Sequence, residues 1–156
     1  MLLYARQETY KIESINLGEV VMEAIQETTH NWHGKVYTDI LADITVLADR
    51  EKLLRVIVNG IQNALQSMGH DGTLQITQQV ERRFVALQIR DTGQGLDEEA
   101  LNRAFEPFYT TKSSGTGLGL AYCKKVVEEM SGSIDIKNTK DGHGAILSIR
   151  LRRAYR

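Results

Sequence analysis

Residues 91–130 read DTGQGLDEEALNRAFEPFYTTKSSGTGLGLAYCKKVVEEM, with a glycine cluster on either side of two phenylalanines. The second cluster leads into a segment with the 3.6-residue apolar period of an amphipathic helix. The first N–H groups of a helix lack intrahelical partners, and the helix dipole is positive at that end. The stretch therefore predicts a polyphosphate site where this helix begins.

The composition is that of an ordinary single globular domain. The chain has 156 residues, 42% hydrophobic and 25% charged, with a formal net charge of -1. So small a charge gives no long-range attraction to nucleic acid, and we expect no nucleic-acid partner. One cysteine, Cys123, excludes an internal disulfide and fits a reducing compartment, so we expect a cytoplasmic domain, whatever anchors its parent chain.

Hydrophobic periodicity predicts three long helices and a short one, over about 17–30, 50–68, 97–103 and 117–131. Asn16 and Asp49 are good N-caps for the first two, and Gly132 is the expected C′ glycine of the last. The second helix has the strongest pattern. Its expected core stripe consists of Leu54, Ile57, Ile61 and Leu65.

The β-prone runs cover about 36–40, 45–48, 73–80, 84–91, 133–137 and 145–151, with an extended stretch over 11–15. The first two runs predict a short strand pair, and the other four predict two hairpins. Hairpins require antiparallel pairing. The sequence therefore predicts an α/β (α+β) fold, a two-layer sandwich with a mixed, mostly antiparallel sheet of about five strands packed on three helices.

Two asparagines carry the first chemical signal. Asn59 and Asn63 lie four residues apart in the second predicted helix and so share one of its faces. Amide oxygens on one face can hold a hydrated Mg²⁺ and orient phosphate groups. Two solvated surface residues would give the same pattern, so the pair is weak evidence by itself.

The first glycine cluster, Asp91-Thr-Gly93-Gln-Gly95, follows a predicted strand. Glycines there let a ligand approach the backbone, and the carboxylate can accept a hydrogen bond from an exocyclic amine such as that of adenine. A capped turn between strand and helix would explain the same residues.

The second glycine cluster, Gly115-Thr-Gly117-Leu-Gly119, is neither a Rossmann fingerprint nor a Walker A loop. Its glycines allow backbone N–H groups to face a phosphate. Phe105 and Phe108, which precede it, fit either core packing or a partly exposed position. Between them and the glycines lies a polar segment with one cation, Lys112. A lysine there could reach terminal phosphates, although a solvated loop lysine would give the same pattern.

The order of these motifs resembles the catalytic and ATP-binding domain of sensor histidine kinases, in the ATPase superfamily of gyrase, heat-shock chaperones and MutL. The matching boxes are the N-box (48–65), G1-box (91–95), F-box (105–108) and G2-box (115–120). The resemblance implies a Bergerat ATP-binding fold over 11–152. It also implies that 1–10 end a dimerisation-domain helix and its linker, and that 153–156 form a tail.

The resemblance also implies roles for individual residues with ATP and Mg²⁺. Asn63 would coordinate Mg²⁺ with Asn59 beside it near the phosphates, and Asp91 would bind the adenine amine. Lys112 is the expected γ-phosphate contact. The remaining expected nucleotide-site residues are Gly93 and Gly95 at the base, Phe105 and Phe108 before the lid, Thr111 in the lid, and Gly115, Thr116, Gly117, Leu118, Gly119 and Leu120 at the phosphates. Phe105 and Phe108 together would link the state of the lid to docking on the dimerisation domain.

The chain departs from the family pattern at three places. Gln66 stands where many members carry a basic residue, and Ala145 stands where Thr or Ser is common. The lid, 109–114, is short, as in the nitrogen-regulator-like subgroup. Because Gln66 is not basic, Lys112 is the stronger candidate for the cation at the phosphates, and the short lid suggests fewer lid contacts with the nucleotide.

The sequence carries no acceptor motif of the H-E-x-x-x-P type, and its four histidines, His30, His33, His70 and His143, fall at predicted helix ends or turns. The resemblance therefore implies that this monomeric domain binds Mg-ATP and donates the γ-phosphate to a histidine elsewhere. The acceptor would be the dimerisation (phosphotransfer) domain of the same parent kinase, with a response regulator as the indirect partner.

Three alternatives remain open on the sequence. An anti-sigma-type serine-protein kinase would share the glycine boxes but not the F-box. A regulatory or docking module would bind nucleotide without transfer, although the intact Asn63 and Asp91 favour an active site. An ATP-hydrolysing clamp would carry a glutamate general base at the position of Asn59.

Overall fold

The computed structural model describes residues 9–110, 117 and 119–155, and within them seven strands and four helices follow one another. They are β1 (Glu13–Asn16), α1 (Leu17–Thr29), β2 (Lys35–Asp39), β3 (Thr45–Ala48), α2 (Arg50–Met68), β4 (Thr73–Val80), β5 (Phe84–Arg90), α3 (Glu98–Arg103), α4 (Gly119–Glu129), β6 (Ser133–Asn138) and β7 (Ala145–Arg152). The helix predicted over 50–68 has those bounds. The other predicted elements differ from the observed ones by at most two residues at either end.

The described strands form two sheets. The larger has the order β2-β4-β5-β7-β6, with β2 parallel to β4 and the other neighbours antiparallel. β1 and β3 form a separate two-stranded antiparallel sheet. The predicted fold class is confirmed: a mixed, mostly antiparallel five-stranded sheet packs against the three long helices. The smaller sheet is an addition to that prediction.

Helix α2 lies at the centre of the helical layer. Its fully buried residues begin at Leu53 and continue through Val56, Ile57 and Ile61, whereas the predicted stripe members Leu54 and Leu65 lie half-buried at the margin. Gly60 lets the helix lie close to the sheet. A Cβ at that position would lie 2.9 Å from Leu147 Cδ2 and 3.0 Å from Ile89 Cδ1.

The predicted pairing of residues 36–40 with 45–48 is wrong. β2 pairs with β4 at the edge of the larger sheet, whereas β3 pairs with β1. Burial accounts for the difference, because Val46 and Ala48 of β3 are fully buried and β2 is mostly exposed. The two strands therefore serve different sheets, and the chain between them crosses from one sheet to the other.

The predicted N-caps are confirmed, but the expected end of the last helix is not. Asn16 Oδ1 accepts from the N–H of Glu19, and Asp49 Oδ1 accepts from the N–H of Lys52. At the end of α4 the left-handed residue is Ser131 (φ 65°), not Gly132. Gly132 is needed for a different reason, since a Cβ there would lie 2.1 Å from the carbonyl oxygen of Arg150 on β7.

The packed unit extends past both predicted boundaries. Ala154, expected in a tail, is 9% exposed and donates its N–H to the carbonyl oxygen of Thr45. Arg153 forms a bridge with Val46, and Tyr10 packs against the core. The helix expected over the first residues of the chain falls at 1–8, outside the described part. Across the described ranges, none of the helices combines the length and the apolar character that a membrane crossing requires.

Candidate functional site

A cavity of about 440 Å³ lies between α2, the segment after β5 and the start of α4. Its walls include Asn59 and Asn63 from α2, Asp91 and Gly95 from the segment after β5, and Gly119 from α4. Its volume falls in the range of small-molecule sites, roughly 300–1,000 Å³. The fold therefore gathers residues from three distant motifs around one cavity large enough for a nucleotide.

Asp91 is the buried acid of this cavity, with only 4% of its surface exposed. Its Oδ1 accepts hydrogen bonds from the N–H of Gly93 at 2.9 Å, the N–H of Ala145 at 3.2 Å and the hydroxyl of Ser67 at 3.3 Å. Its own N–H donates to the carbonyl oxygen of Ala145. These bonds fix one oxygen of the carboxylate, and so its orientation, at the junction of β5, β7 and α2.

The two glycines after Asp91 allow close packing beside it. A Cβ at Gly93 would lie 1.8 Å from the hydroxyl oxygen of Ser67, so no side chain fits between this segment and α2. Gly95 has φ 75°, in the left-handed region that favours glycine. Gly95 lines the cavity, and Gly93 lies against its wall residue Ser67.

Asn59 and Asn63 both line the cavity, as their shared helical face predicts. The thiol of Cys123 in α4 donates a hydrogen bond of 3.5 Å to the carbonyl oxygen of Val56, which precedes Asn59 by about one turn of α2. Burial raises the pKa of that thiol to about 12, against a smaller opposing effect of nearby Asn59, so it stays protonated and unreactive at neutral pH. The bond from Cys123 to Val56 thus joins α4 to α2 beside Asn59.

Gly119 differs from every other glycine that the structure describes. A Cβ there would meet no atom of the described residues within 4 Å, and the residue does not have a positive φ. Nothing in the described part of the chain therefore requires glycine at the first residue of α4. Close approach of a ligand to the backbone is a reason that remains.

Gly117 and Phe108 connect the two ends of the predicted lid. The N–H of Phe108 donates to the carbonyl oxygen of Gly117 at 2.9 Å, and both residues have a positive φ, 69° and 73° respectively. A Cβ at Gly117 would lie 2.4 Å from the carbonyl carbon of Phe108. Phe108 is 69% exposed, whereas Phe105 packs against the core, so the two phenylalanines expected to act together have different environments.

Tyr109 forms the wall of the cavity next to Phe108. The guanidinium of Arg103 lies 4.5 Å from the centre of its ring and is held by salt bridges to Glu99 and Glu106. Burial, followed by the charges of Glu99 and Asp97, raises the pKa of the Tyr109 hydroxyl. Tyr109 therefore stays neutral in the physiological range.

A family comparison decides what kind of site this is. Residues 48–155 match the model of the histidine kinase-, DNA gyrase B- and HSP90-like ATPases. The chain belongs to this ATPase family. The match contains α2, the segment after β5 and α4, and therefore every element that lines the cavity.

Relatives within the family are kinases that are longer than this chain. Sporulation kinase A of Bacillus subtilis is 36% identical over 140 residues, which is 87% of this chain and 23% of that protein. The sensor histidine kinase ZraS of Klebsiella oxytoca is 29% identical over 156 residues, 97% of this chain and 34% of that protein. The chain therefore covers no more than about a third of either relative.

Solved structures agree with this assignment. The catalytic domain of histidine kinase ThkA matches with a TM-score of 0.81 and 30% identity, over 92% of this chain and 96% of that one. ThkA has also been solved in complex with the response regulator TrrA. In that complex the ThkA chain matches with a TM-score of 0.83 and 25% identity, over 98% of this chain and 45% of that one. The fold is that of a histidine kinase catalytic domain.

The residues of this ATPase cavity fit ATP better than they fit a metal alone. No group of three or more His, Cys, Asp or Glu side chains that could hold a metal ion occurs among the described residues. Mg²⁺ prefers oxygen ligands and keeps several waters, and in kinases it is shared between one or two side chains and the phosphates of the substrate. The amide of Asn63 suits such a partial ligand role.

Five predicted nucleotide-site residues lie outside the described part of the chain: Thr111, Lys112, Gly115, Thr116 and Leu118. Leu120 lines the cavity as predicted. The sequence reasoning missed Ser67, although its position one helical turn after Asn63 places it on the same face. It also missed Leu96 and Ile136 of the wall, which lie outside the motifs. Gln94 and Tyr109 lie within the G1-box and the lid but have no predicted role.

The four histidines lie away from the cavity. His30, His33, His70 and His143 are all exposed, and each lies at a helix end, in a loop or in a turn, as the sequence predicted. None of them lines the cavity.

Proposed function

We propose that this domain binds Mg-ATP in the 440 Å³ cavity and donates the γ-phosphate to a histidine on a separate dimerisation domain. Asp91 accepts a hydrogen bond from the adenine amine, and the start of α4 at Gly119 binds the phosphates. Asn63 coordinates Mg²⁺ together with phosphate oxygens. The family match and the kinase relatives support this function, and the joint placement of Asp91, Asn63 and Gly119 on one cavity carries it.

The base end is supported by the environment of Asp91. Three hydrogen bonds to its Oδ1 fix the carboxylate, which is an acceptor when ionised. A fixed acceptor suits an exocyclic amine, because a ligand that offers an oxygen instead would bring two acceptors together. The cavity should therefore prefer adenine to guanine.

The phosphate end is supported by Gly119, a glycine that no contact with the described residues requires. The N–H groups at the start of α4 and its dipole favour negative charge, and Gly119 leaves room for close approach. Lys112, with Thr111 beside it in the lid, is assigned to the γ-phosphate. Mg²⁺, when bound, would supply neutralisation of phosphate charge.

Transfer in this scheme depends on positioning. The cavity holds the nucleotide with its terminal phosphate towards the lid, and the acceptor histidine arrives on another domain. Asn59 replaces the glutamate base of the hydrolysing relatives, and its amide cannot remove a proton from water. Hydrolysis by the domain alone should therefore be slow.

The proposed partners follow from the longer relatives. The acceptor domain belongs to the same parent kinase, and the response regulator interacts with the assembled kinase, as ThkA does with TrrA. The exposed Phe108 is the proposed link between the lid and the acceptor domain. The domain acts as a monomer in the cytoplasm, whether or not its parent is anchored to a membrane.

Calorimetric titration with ATP in the presence of Mg²⁺ tests this proposal. We expect one site per chain and a preference for ATP over GTP. We expect Asn63→Asp to lose binding, because the new carboxylate repels the phosphates. A wild-type chain that binds no adenine nucleotide would contradict the proposal.

A further inference from the structure

The side-chain amide of Asn138, the last residue of β6, pairs with the backbone of Leu96. Its Oδ1 accepts from the N–H of Leu96 at 2.8 Å, and its Nδ2 donates to the carbonyl oxygen of Leu96 at 2.7 Å. The two residues are 42 positions apart in the chain. One amide group thus satisfies both polar groups of one backbone residue, as a neighbouring strand would.

This pairing forms at the end of an edge strand. β6 is the last strand of the larger sheet and pairs only with β7 among the described strands. The backbone of Asn138 is paired with Ala145, and its side-chain amide contacts the segment after β5. That segment comes close: a Cβ at Gly95 would lie 2.9 Å from Asn138 Oδ1 and 3.4 Å from the carbonyl oxygen of Gly144. A side chain at position 95 would therefore collide with this amide.

The backbone held by Asn138 forms part of the cavity wall. Gln94, Gly95 and Leu96 all line the cavity, and Asn138 itself does not. The next residue, Asp97, caps α3 through the N–H of Ala100, another wall residue. Fixing Leu96 therefore fixes both the wall before it and the start of the helix after it.

The segment is thus tied at two points. At Asp91 it is attached to β7 and α2 through Ala145 and Ser67. At Leu96 it is attached to β6 through Asn138. The residues between these two points have little conformational freedom, because the span is short and both of its ends are held.

We propose that Asn138 is a positioning residue for base recognition: it holds the Gln94–Leu96 wall in the shape that accepts adenine beside Asp91, without touching the nucleotide. The inference rests on the proposed function, because it concerns the base end of the same cavity. It predicts an effect on selection between bases, whereas a loss of overall stability would weaken every nucleotide alike.

The test compares Asn138→Ala and Asn138→Asp with Asp135→Ala, a control at an exposed position of the same strand. Affinities for ATP and GTP are measured by calorimetry on the full chain, and backbone amide exchange at Leu96 is measured without nucleotide. In Asn138→Ala we expect ATP affinity to fall about fivefold to tenfold and GTP affinity by less than about twofold. We expect exchange at Leu96 to become at least about tenfold faster.

Asn138→Asp separates the two halves of the pairing. A carboxylate still accepts from the N–H of Leu96, but it cannot donate to the carbonyl oxygen. Exchange at Leu96 should then stay close to that of the wild type, while ATP affinity falls to a value between the wild type and Asn138→Ala. Asp135→Ala should change neither quantity.

Two results would overturn the inference. One is an unchanged ATP to GTP preference in Asn138→Ala, and the other is an unchanged exchange rate at Leu96. A failure of the proposed function has a different signature, since the wild-type chain would then bind no ATP, whereas amide exchange at Leu96 would still report on the pairing.

Discussion

The hydroxyl of Ser67 on α2 donates a hydrogen bond of 3.3 Å to Oδ1 of Asp91 at the end of β5. Ser67 lies one helical turn after Asn63, the proposed Mg²⁺ ligand, so one helix bears on both ends of the proposed nucleotide site. A shift of α2 along its axis would change the metal end and the base end together.

Asp91→Asn tests base recognition while keeping the local fold. The amide oxygen of asparagine can replace Oδ1 as the acceptor for the N–H groups of Gly93 and Ala145. The amide nitrogen that replaces the other carboxylate oxygen cannot accept from adenine. We expect ATP affinity to fall about tenfold to a hundredfold by calorimetry, with thermal unfolding shifted by only a few degrees.

Asp91→Ala, compared with Asp91→Asn, shows how much the carboxyl group contributes to stability. It leaves two backbone N–H groups without their buried acceptor, and the free energy of unfolding should fall by about 1–3 kcal/mol. If Asp91→Asn bound ATP as tightly as the wild type, the assignment of Asp91 to the base would be wrong.

Gly119→Ala separates a ligand requirement from a folding requirement. A Cβ at Gly119 would meet no atom of the described residues within 4 Å, so alanine should leave the free energy of unfolding unchanged or raise it by up to ~1 kcal/mol. If phosphates approach this backbone, the methyl group should lower ATP affinity by about tenfold or more. Chemical denaturation and calorimetry measure the two effects separately.

Gly117→Ala, in contrast, should change the stability of the domain. Gly117 has φ 73°, and its Cβ would lie 2.4 Å from the carbonyl carbon of Phe108. Alanine there should destabilise the domain by about 1–3 kcal/mol. If Gly119→Ala bound ATP as tightly as the wild type, the phosphates would not approach the backbone at the start of α4.

The sequence predicted α2 and its two asparagines well because their signals are local. An N-cap, an apolar period and an i, i+4 pair all lie within the helix itself, and Asp49, Asn59 and Asn63 lie where the pattern placed them. The same holds for the two hairpins, whose strands are joined by short turns.

The errors concern relationships between distant segments. The partner of β2 is β4, which is reached only after α2, and nothing within residues 36–48 distinguishes this pairing from a local one. The contact between Asn138 and Leu96 likewise joins a strand end to a loop 42 residues earlier. Close backbone approach, not a left-handed conformation, selects Gly132, and that depends on the position of β7.

Removal of Mg²⁺ tests the role of Asn63. The wild-type chain should lose ATP affinity by about tenfold or more when the metal is chelated, because uncompensated phosphate charge then enters the cavity. In Asn63→Ala the affinity should be low with and without Mg²⁺, so the ratio of the two affinities should approach one. A wild-type ratio in Asn63→Ala, measured by calorimetry at fixed ionic strength, would remove Asn63 from the metal site.

Asp49 gives a stability prediction that does not depend on nucleotide. Burial opposes its ionisation, but the N–H groups of Lys11 and Lys52 and the charge of Lys52 hold the pKa of Asp49 below its ordinary value of 3.8. The lowered pKa means that this stabilisation is complete above about pH 4. It is lost as the pH falls through the folded-state pKa.

Asp49→Ala should therefore lower the free energy of unfolding by about 0.5–2 kcal/mol at pH 7, the usual effect of losing an N-cap. The difference from the wild type should become smaller in acid, at pH values below 3.8. Denaturant unfolding at several pH values measures it. A difference that stays constant down to pH 2 would show that the charge of Asp49 contributes nothing.

Phosphoryl transfer is the central claim, and the direct measurement is labelling with γ-³²P-ATP. The domain is incubated with Mg²⁺ and a separate dimerisation domain from a family kinase, and with the same domain lacking its acceptor histidine. We predict acid-labile label on the intact acceptor domain, none on the chain itself, and none with Asn63→Asp. Acid-stable label on serine, or no transfer from a chain that binds ATP, would contradict the account.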